Sequence, residues 1–372
     1  MTRQRSIAVV VVILAVVASS LTLVPGTAGA SRARRARPTV AGPVTGGNGI
    51  FFVGSTLFDT SAVGYQQNEF FLSGNAKSYT SDRPLSQNGK WDVEPATTAP
   101  YKTRMVVYRP ADPRKFNGTV FVEWLNISGG IDAGAVWLSG HDQLIREGAA
   151  YIGVTVQAGG INGVPGSLGG VSGFGAGLKK IDPVRYGSLQ HPGDSYSYDI
   201  FTQAGEAIRE SSSLILGGLR PRSVLALGES QSAIRMTTYL DAIAPSTHVW
   251  DGYLVYSRGG AGAALSQSPQ TTITPPTPTL IRTDLRQPVL IFTTEADLLL
   301  LGYVSARQPD TRRIRDWEVA GTAHDDTYGL VFSRTDTGTE AADIAAFQSM
   351  ITPPADVIPG ILTCAAPVNA GS

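Results

Sequence analysis

The sequence predicts an α/β fold with a mostly parallel sheet, helices on both faces of the sheet, and loop-rich lid insertions. Three observations predict this class. Short runs rich in β-branched and aromatic residues alternate with helical patterns along the chain. The run at 223–227 passes through a serine-containing turn directly into a helical pattern, and polar side chains follow two later runs. Because crossover helices join parallel strands, this order favours a sheet covered on both faces.

The predicted elements follow one another in a regular order. A long helix is predicted at 198–210, and either Asp194 or Ser195 is available to cap its N-terminus. The other predicted elements are strands at 70–76, 103–109, 119–124, 150–156, 250–256, 288–294 and 315–320, and a helix at 137–146.

Ser230 is the predicted nucleophile, because it occupies a turn between a strand and a helix. The turn reads Gly-Glu-Ser-Gln-Ser from Gly228 to Ser232. A turn of this kind lifts the serine hydroxyl clear of the sheet and directs backbone N–H groups toward the oxygen of a bound carbonyl. The usual pattern is G-x-S-x-G, and Ser232 at the last position is small enough to let helix and strand approach closely. The flanking strand and helix distinguish Ser230 from a serine in an ordinary turn.

His324 is the predicted general base. It follows the predicted strand at 315–320 and lies on a loop that begins with Gly321, which agrees with the chain order serine, acid, histidine. The remaining histidines are predicted to be structural, because they precede the serine or lie outside such a loop: His141, His191 and His248.

Two carboxylates at the end of the predicted strand 288–294 are candidates for the triad acid. Asp297 is favoured, since it lies two residues further from the strand end, where the histidine loop would pass. Glu295 is the alternative, because either carboxylate could fix the imidazole tautomer and stabilise the imidazolium.

The oxyanion of a tetrahedral intermediate requires backbone N–H donors that are already in place. One predicted donor is Gln231, the residue after the serine. The second is expected in the loop 125–130 after the strand at 119–124, where Asn126 or Ile127 is the candidate. The specific donor in that loop stays open between them.

Together these residues resemble the α/β-hydrolase superfamily, and within it the bacterial group called the alpha/beta hydrolase domain family. The resemblance extends from about Phe70 to Phe347. It rests on Val-Glu-Trp-Leu-Asn at 122–126, Gly-Asp-Ser-Tyr-Ser-Tyr-Asp-Ile at 193–200 and Gly-Glu-Ser-Gln-Ser-Ala at 228–233. It implies the α/β-hydrolase fold and a serine hydrolase that acts on carboxylic esters or related acyl compounds.

The N-terminus predicts export from the cytoplasm. Arg3 and Arg5 precede an apolar run at 7–18, and small residues of the A-x-A type end at Ala30. The run is shorter than the roughly 18 residues of a membrane-spanning helix, so we predict a signal peptide at 1–30 that is cleaved after Ala30, and no stable membrane insertion afterwards. An N-terminal anchor that is not cleaved is the alternative. A flexible segment at 31–49 and a catalytic domain at 50–372 are expected to follow, in a secreted or cell-envelope protein.

Composition agrees with a globular enzyme that acts on a small acyl substrate. Basic and acidic residues number 30 each, so the formal net charge of +0 gives no indication of nucleic-acid binding. The single cysteine, Cys364, cannot form an internal disulfide, and its position near the C-terminus argues against a catalytic thiol. No cofactor or metal is predicted, and composition leaves the oligomeric state open.

Two segments interrupt the alternation of strands and helices, and both are predicted to line or cover the acyl or alcohol pocket. Residues 158–177 are rich in glycine but lack the Gly-Lys-Ser/Thr ending of a phosphate-binding loop. Residues 257–287 lie between two predicted strands, where a lid is expected.

The predicted reaction is acyl transfer to water through a Ser230 acyl-enzyme, with activity falling below about pH 6.5 as the histidine becomes protonated. Two alternatives come from other classes. The first is a secreted binding protein that keeps the scaffold without turnover. The second is a metal-dependent hydrolase that uses His324, Asp325 and Asp326.

Overall fold

The computed structural model describes residues 37–51, 56–164 and 175–352, together with the backbone of two short strands at 355–358 and 362–364. Its strands are β1 (Thr39–Ala41), β2 (Tyr65–Thr80), β3 (Glu94–Pro110), β4 (Thr119–Trp124), β5 (Ala150–Val154), β6 (Ser223–Glu229), β7 (Gly252–Tyr256), β8 (Val289–Thr294), β9 (Ile314–Val319), β10 (Ala355–Ile358) and β11 (Leu362–Cys364). In the described chain β1 to β9 form one sheet in the order β1-β2-β3-β5-β4-β6-β7-β8-β9. From β5 to β9 every neighbouring pair is parallel, whereas β1, β2 and β3 pair antiparallel. The predicted mostly parallel sheet is confirmed.

Helices cover both faces of the sheet. They are α1 (Ala135–Glu147), α2 (Ala158–Asn162), α3 (Gly177–Ile181), α4 (Pro183–Tyr186), α5 (Ser197–Glu210), α6 (Ser212–Ile215), α7 (Gln231–Thr238), α8 (Glu295–Leu300) and α9 (Ala341–Ile351). On one face, Trp137 of α1 stacks on Tyr108 of β3 with ring centroids 4.1 Å apart. On the other face, Phe201 of α5 contacts Trp124 and Trp250. No helix in the described ranges is long and apolar enough to cross a membrane.

The start of α1 is held by a carboxylate from the neighbouring strand. Glu123 of β4 is fully buried and accepts hydrogen bonds from the backbone N–H groups of Val136 and Trp137 and from the hydroxyl of Tyr151. A carboxylate at a helix N-terminus satisfies N–H groups that have no partner within the helix. Burial nevertheless raises the pKa of Glu123 to about 7.

The described part of the predicted flexible segment, residues 37–49, is bound to the sheet. β1 pairs with β2, and Arg185 donates hydrogen bonds to the carbonyls of Val44 and Gly46. Arg185 is more than 100 positions from these two acceptors in the chain, so the local sequence could not predict its hydrogen bonds to them. The described residues before 50 therefore pack on the rest of the chain and do not form a free segment, whereas the predicted signal peptide at 1–30 lies outside the described residues.

Asp194 has a different role from the predicted helix cap. The residue before α5 is Tyr196, and no side chain of the described residues caps this helix. The carboxylate of Asp194 instead accepts a hydrogen bond from the N–H of Ala158 at 2.8 Å and pairs with Arg235 of α7 at 3.1 Å. Asp194 thus joins the segment after β5 to the helix that follows the serine turn.

Candidate active site

Ser230 occupies the turn between β6 and α7, as the sequence predicts. Its backbone has φ 53° and ψ −116°, a conformation that non-glycine residues rarely adopt, and its N–H donates to the carbonyl of Tyr256 at 2.9 Å. Gly228 allows this turn, because a Cβ there would lie 2.7 Å from both the Met236 side chain and the Ser232 carbonyl. The close approach of α7 to β6 therefore depends on glycine at 228.

The side chains of Ser230, His324 and Asp297 form a continuous chain of hydrogen bonds. Nε2 of His324 lies 2.9 Å from Oγ of Ser230, and Nδ1 lies 2.5 Å from Oδ1 of Asp297. The three residues follow β6, β9 and β8, whose carboxyl ends meet at one edge of the parallel sheet. This arrangement lets the imidazole accept the serine proton while the carboxylate holds its tautomer.

Asp297, and not Glu295, contacts the histidine. Asp297 lies in the first turn of α8, and its second oxygen accepts the backbone N–H of Thr294 at 2.9 Å. Glu295 is exposed and accepts the N–H of Gly321 at 2.6 Å. Both carboxylates hold the loop after β9, but only Asp297 orients the imidazole.

The charge states of the acid and the histidine follow from this contact. Burial acts to raise the pKa of Asp297, but hydrogen bonds from His324 and Thr294 outweigh it, so the pKa lies below its ordinary value. The hydrogen bond to Asp297 raises the pKa of His324, against the opposing effect of burial. The pair is therefore suited to stabilising an imidazolium during reaction.

The predicted oxyanion donors differ in their availability. The N–H of Asn126 donates to the carbonyl of Ala133 at 2.9 Å, so Asn126 cannot serve as the backbone donor. The N–H groups of Ile127 and Gln231 have no acceptor among the described residues, and Gln231 is the first residue of α7. The hydrogen bond to Ala133 thus removes Asn126 as a backbone donor, and the N–H groups of Ile127 and Gln231 are the two that stay available.

The Asn126 side chain leads to a residue that sequence reasoning missed. Its Nδ2 donates to the carboxylate of Glu229 at 3.0 Å and to the Glu229 carbonyl at 3.2 Å. Glu229 is 7% exposed, and its other carboxylate oxygen lies 3.5 Å from Nε2 of His324. Its position directly before Ser230 was the only sequence signal for a role in the site.

The histidines predicted to be structural have contacts outside this site. Both ring nitrogens of His191 contact backbone groups, the carbonyl of Val156 and the N–H of Gly193. His141 contacts the carbonyl of Trp137 and the carboxylate of Asp336. His248 is exposed, on the loop before β7.

The side chains of the loop after β9 are not arranged as the hypothesis of a metal site at His324, Asp325 and Asp326 requires. The ring nitrogens of His324 face Ser230 and Asp297, and Asp326 accepts the N–H of Gly329 at 2.7 Å. Within the described ranges, no group of three or more His, Cys, Asp or Glu side chains is arranged to hold a metal ion.

The two predicted pocket segments differ in how much of them is described. Residues 165–174 of the glycine-rich segment lie outside the described chain. The segment begins with α2, and its last residue, Gly177, is the first residue of α3. The segment at 257–287 is bound to its surroundings: the carbonyl of Ala264 accepts the hydroxyl of Tyr198, and the N–H of Leu280 donates to the Gln87 carbonyl. The prediction that these segments line a substrate pocket stays a prediction.

Residues 40–372 match the family model described as "Alpha/beta hydrolase domain". The chain belongs to this family. Membership supports hydrolase activity, and the observed sheet topology agrees with the family's fold. None of the curated proteins matches the chain.

The chain is also similar to several solved structures. A putative dienelactone hydrolase from Klebsiella pneumoniae subsp. pneumoniae is 14% identical over 71% of this chain and 91% of that chain, with a TM-score of 0.36. A glucuronoyl esterase from Solibacter usitatus is 10% identical over 78% and 83%, with a TM-score of 0.38. A thermostable esterase from Pseudomonas putida is 15% identical over 76% and 80%, with a TM-score of 0.37. These names describe the neighbouring proteins alone.

Proposed function

We propose that the protein is a serine hydrolase that cleaves carboxylic esters or related acyl compounds through an acyl-enzyme. The observation that carries this proposal is the chain of contacts from Asp297 through His324 to Ser230, at 2.5 and 2.9 Å. A serine hydroxyl is a weak nucleophile on its own, and an adjacent oriented base activates it.

In the proposed first step, Oγ of Ser230 bonds to the carbonyl carbon while its proton passes to Nε2 of His324. The resulting oxyanion is held by the N–H groups of Gln231 and Ile127. The carbon–oxygen bond to the alcohol then breaks, and His324 returns the proton to the leaving alcohol. Water deacylates Ser230 by the same steps, with His324 as base and then as acid.

The test is hydrolysis of p-nitrophenyl esters of graded acyl length by the mature protein and by its Ser230→Ala variant. We expect turnover by the wild type that is lost in the variant and unchanged by EDTA. Retained turnover in a folded Ser230→Ala protein, or loss of turnover on chelation, would contradict the proposal.

We further propose that this reaction takes place outside the cytoplasm. The support is the basic, apolar and small-residue pattern at 1–30, which is typical of an exported leader. Fractionation of a cell that expresses the full chain, with N-terminal sequencing of the product, tests it. Mature protein beginning at Ser31 is expected, and an uncleaved cytoplasmic chain would contradict it.

A further inference from the structure

Glu229 is a buried carboxyl group at the reaction centre that the proposed steps do not use. It lies between the serine turn, the histidine and the loop after β4. One oxygen accepts from Asn126 at 3.0 Å and the other lies 3.5 Å from Nε2 of His324. This is the same ring nitrogen that must accept the proton of Ser230.

The charged and titratable groups that act on Glu229 lie on three neighbouring elements. His324 and Asp325 lie on the loop after β9, and Glu123 lies on β4. Tyr256 of β7 is the register partner of Glu229 on β6. Among the described residues, no arginine or lysine forms an ion pair with Glu229. The carboxyl group therefore lacks a permanent cation, and a buried charge without such a partner is costly.

The charge of Glu229 determines what His324 can do. An ionised carboxylate 3.5 Å from Nε2 would favour a protonated imidazole, which cannot accept the proton of Ser230. It would also place negative charge beside the forming oxyanion and hold the imidazolium proton that the leaving alcohol needs. A neutral carboxyl group causes none of these effects.

We propose that Glu229 is a positioning residue that acts in its uncharged form. Its hydrogen bond holds Asn126 against the serine turn, and its lack of charge leaves His324 unprotonated and able to act as a base. This hydrogen bond matters because Asn126 also fixes the loop 125–130, which contains the predicted oxyanion donor: the side-chain oxygen of Asn126 accepts the N–H of Ser128 at 2.7 Å. Rotation of Asn126 would therefore displace the neighbouring N–H of Ile127. This inference rests on the proposed serine mechanism.

Burial provides the neutral form near pH 7. It raises the pKa of Glu229 to about 8, and the nearby negative charges of Glu123 and Asp325 act in the same direction. His324 opposes the rise. Below this pKa the carboxyl group holds its proton, and above it the group ionises. Activity is therefore expected to fall on the alkaline side, with a midpoint near pH 8.

The experiment measures the rate of fluorophosphonate labelling at Ser230, and of p-nitrophenyl acetate hydrolysis, from about pH 6 to pH 10. The proteins are the wild type, Glu229→Gln and the control Glu318→Gln. The control makes the same change at Glu318, a surface carboxylate on the edge strand β9 that forms an ion pair with Arg307. Circular dichroism and unfolding curves establish that each variant is folded.

We expect the wild type and the control to lose activity above about pH 8, and Glu229→Gln to keep its pH 7 rate there. The amide is the same size as the neutral acid and cannot ionise. An alkaline decline that persists in folded Glu229→Gln overturns the inference, as does loss of activity at every pH in that variant. A merely structural Glu229 would alter stability and leave the decline in place.

Asn126→Ala provides the test if Glu229→Gln fails to fold. The hydrogen bond from Asn126 lowers the pKa of Glu229, so its removal is expected to move the alkaline midpoint to higher pH. The labelling rate should also fall, since the oxyanion loop loses its anchor. An unchanged midpoint would overturn the inference. Failure of the proposed function itself would be distinct, because wild-type Ser230 would then resist labelling at all pH values.

Discussion

Oδ1 of Asp297 lies 2.5 Å from Nδ1 of His324, although 27 positions separate the two residues in the chain. The contact joins the loops after β8 and β9, and the opposite ring nitrogen faces Ser230. The orientation of the His324 ring therefore depends on two loops that are held together at one edge of the sheet.

Removal of the Asp297 charge should abolish most activity, while the same change at Glu295 should have little effect. Asp297→Asn loses the acceptor that fixes the imidazole tautomer, and we expect kcat to fall by roughly 10⁴-fold, the scale known for this change in other Ser-His-Asp sites. Glu295→Gln keeps an oxygen that can accept from Gly321. Steady-state hydrolysis of p-nitrophenyl acetate compares the two. A larger loss of kcat in Glu295→Gln than in Asp297→Asn would contradict the assignment of Asp297 as the triad acid.

The acid side of the pH profile should reflect the raised pKa of His324. The hydrogen bond to Asp297 raises this pKa, so the imidazole is expected to become protonated, and activity to be lost, as pH falls through a midpoint above the ordinary value of about 6.5. In Asp297→Asn the midpoint of the residual activity should move to lower pH. The pH dependence of kcat/KM measures both midpoints, and a wild-type midpoint below 6 would contradict the assignment of His324 as the base.

Gly228→Ala should destabilise the protein and reduce labelling of Ser230. The added methyl group would lie 2.7 Å from Met236 and from the carbonyl of Ser232, which forces α7 away from β6. Overpacking of this kind costs about 1–3 kcal/mol in the free energy of unfolding. Urea denaturation and the fluorophosphonate labelling rate measure the two effects.

Ser232→Ala is the matched change at the other small residue of the turn. The Ser232 hydroxyl is buried and has no hydrogen-bond partner among the described residues. Alanine also has the higher helix propensity, so we expect wild-type activity and a free energy of unfolding that is unchanged or raised by up to about 1 kcal/mol. An equal loss in the free energy of unfolding in the two variants would contradict the claim that the close approach of α7 to β6 depends on glycine at 228.

Much of the site could be predicted because parallel strands place their carboxyl ends at one edge. Ser230, Asp297 and His324 each follow a strand with a clear apolar pattern, so chain order alone was enough to propose that they meet. The choice between Asp297 and Glu295 needed the direction of the first turn of α8. That direction is fixed by the hydrogen bond from the N–H of Thr294 to Asp297, which belongs to a capping box. The Thr-x-x-Asp spacing from Thr294 to Asp297 is the sequence pattern of such a box, and it places Asp297 in the first turn of the helix.

Other features depend on contacts between distant segments, and local sequence could not predict them. The loop after β4 folds back on itself, so the N–H of Asn126 donates a hydrogen bond to the carbonyl of Ala133. This bond removes one of the predicted oxyanion donors. Glu229 becomes part of the site only through Asn126 and His324. The described residues before 50 are held by the pairing of β1 with β2 and by hydrogen bonds from Arg185 of α4, and both partners are far away in the chain.

Activation of Ser230 is the central claim, and covalent labelling by a fluorophosphonate tests it most directly. The mature wild-type protein and Ser230→Ala are treated with the probe, and peptide mass spectrometry locates the adduct. We predict a single adduct on Ser230 in the wild type and none in the variant. A folded wild-type protein that remains unlabelled, or an adduct at another residue that persists in Ser230→Ala, would contradict the account and favour a binding protein on this scaffold.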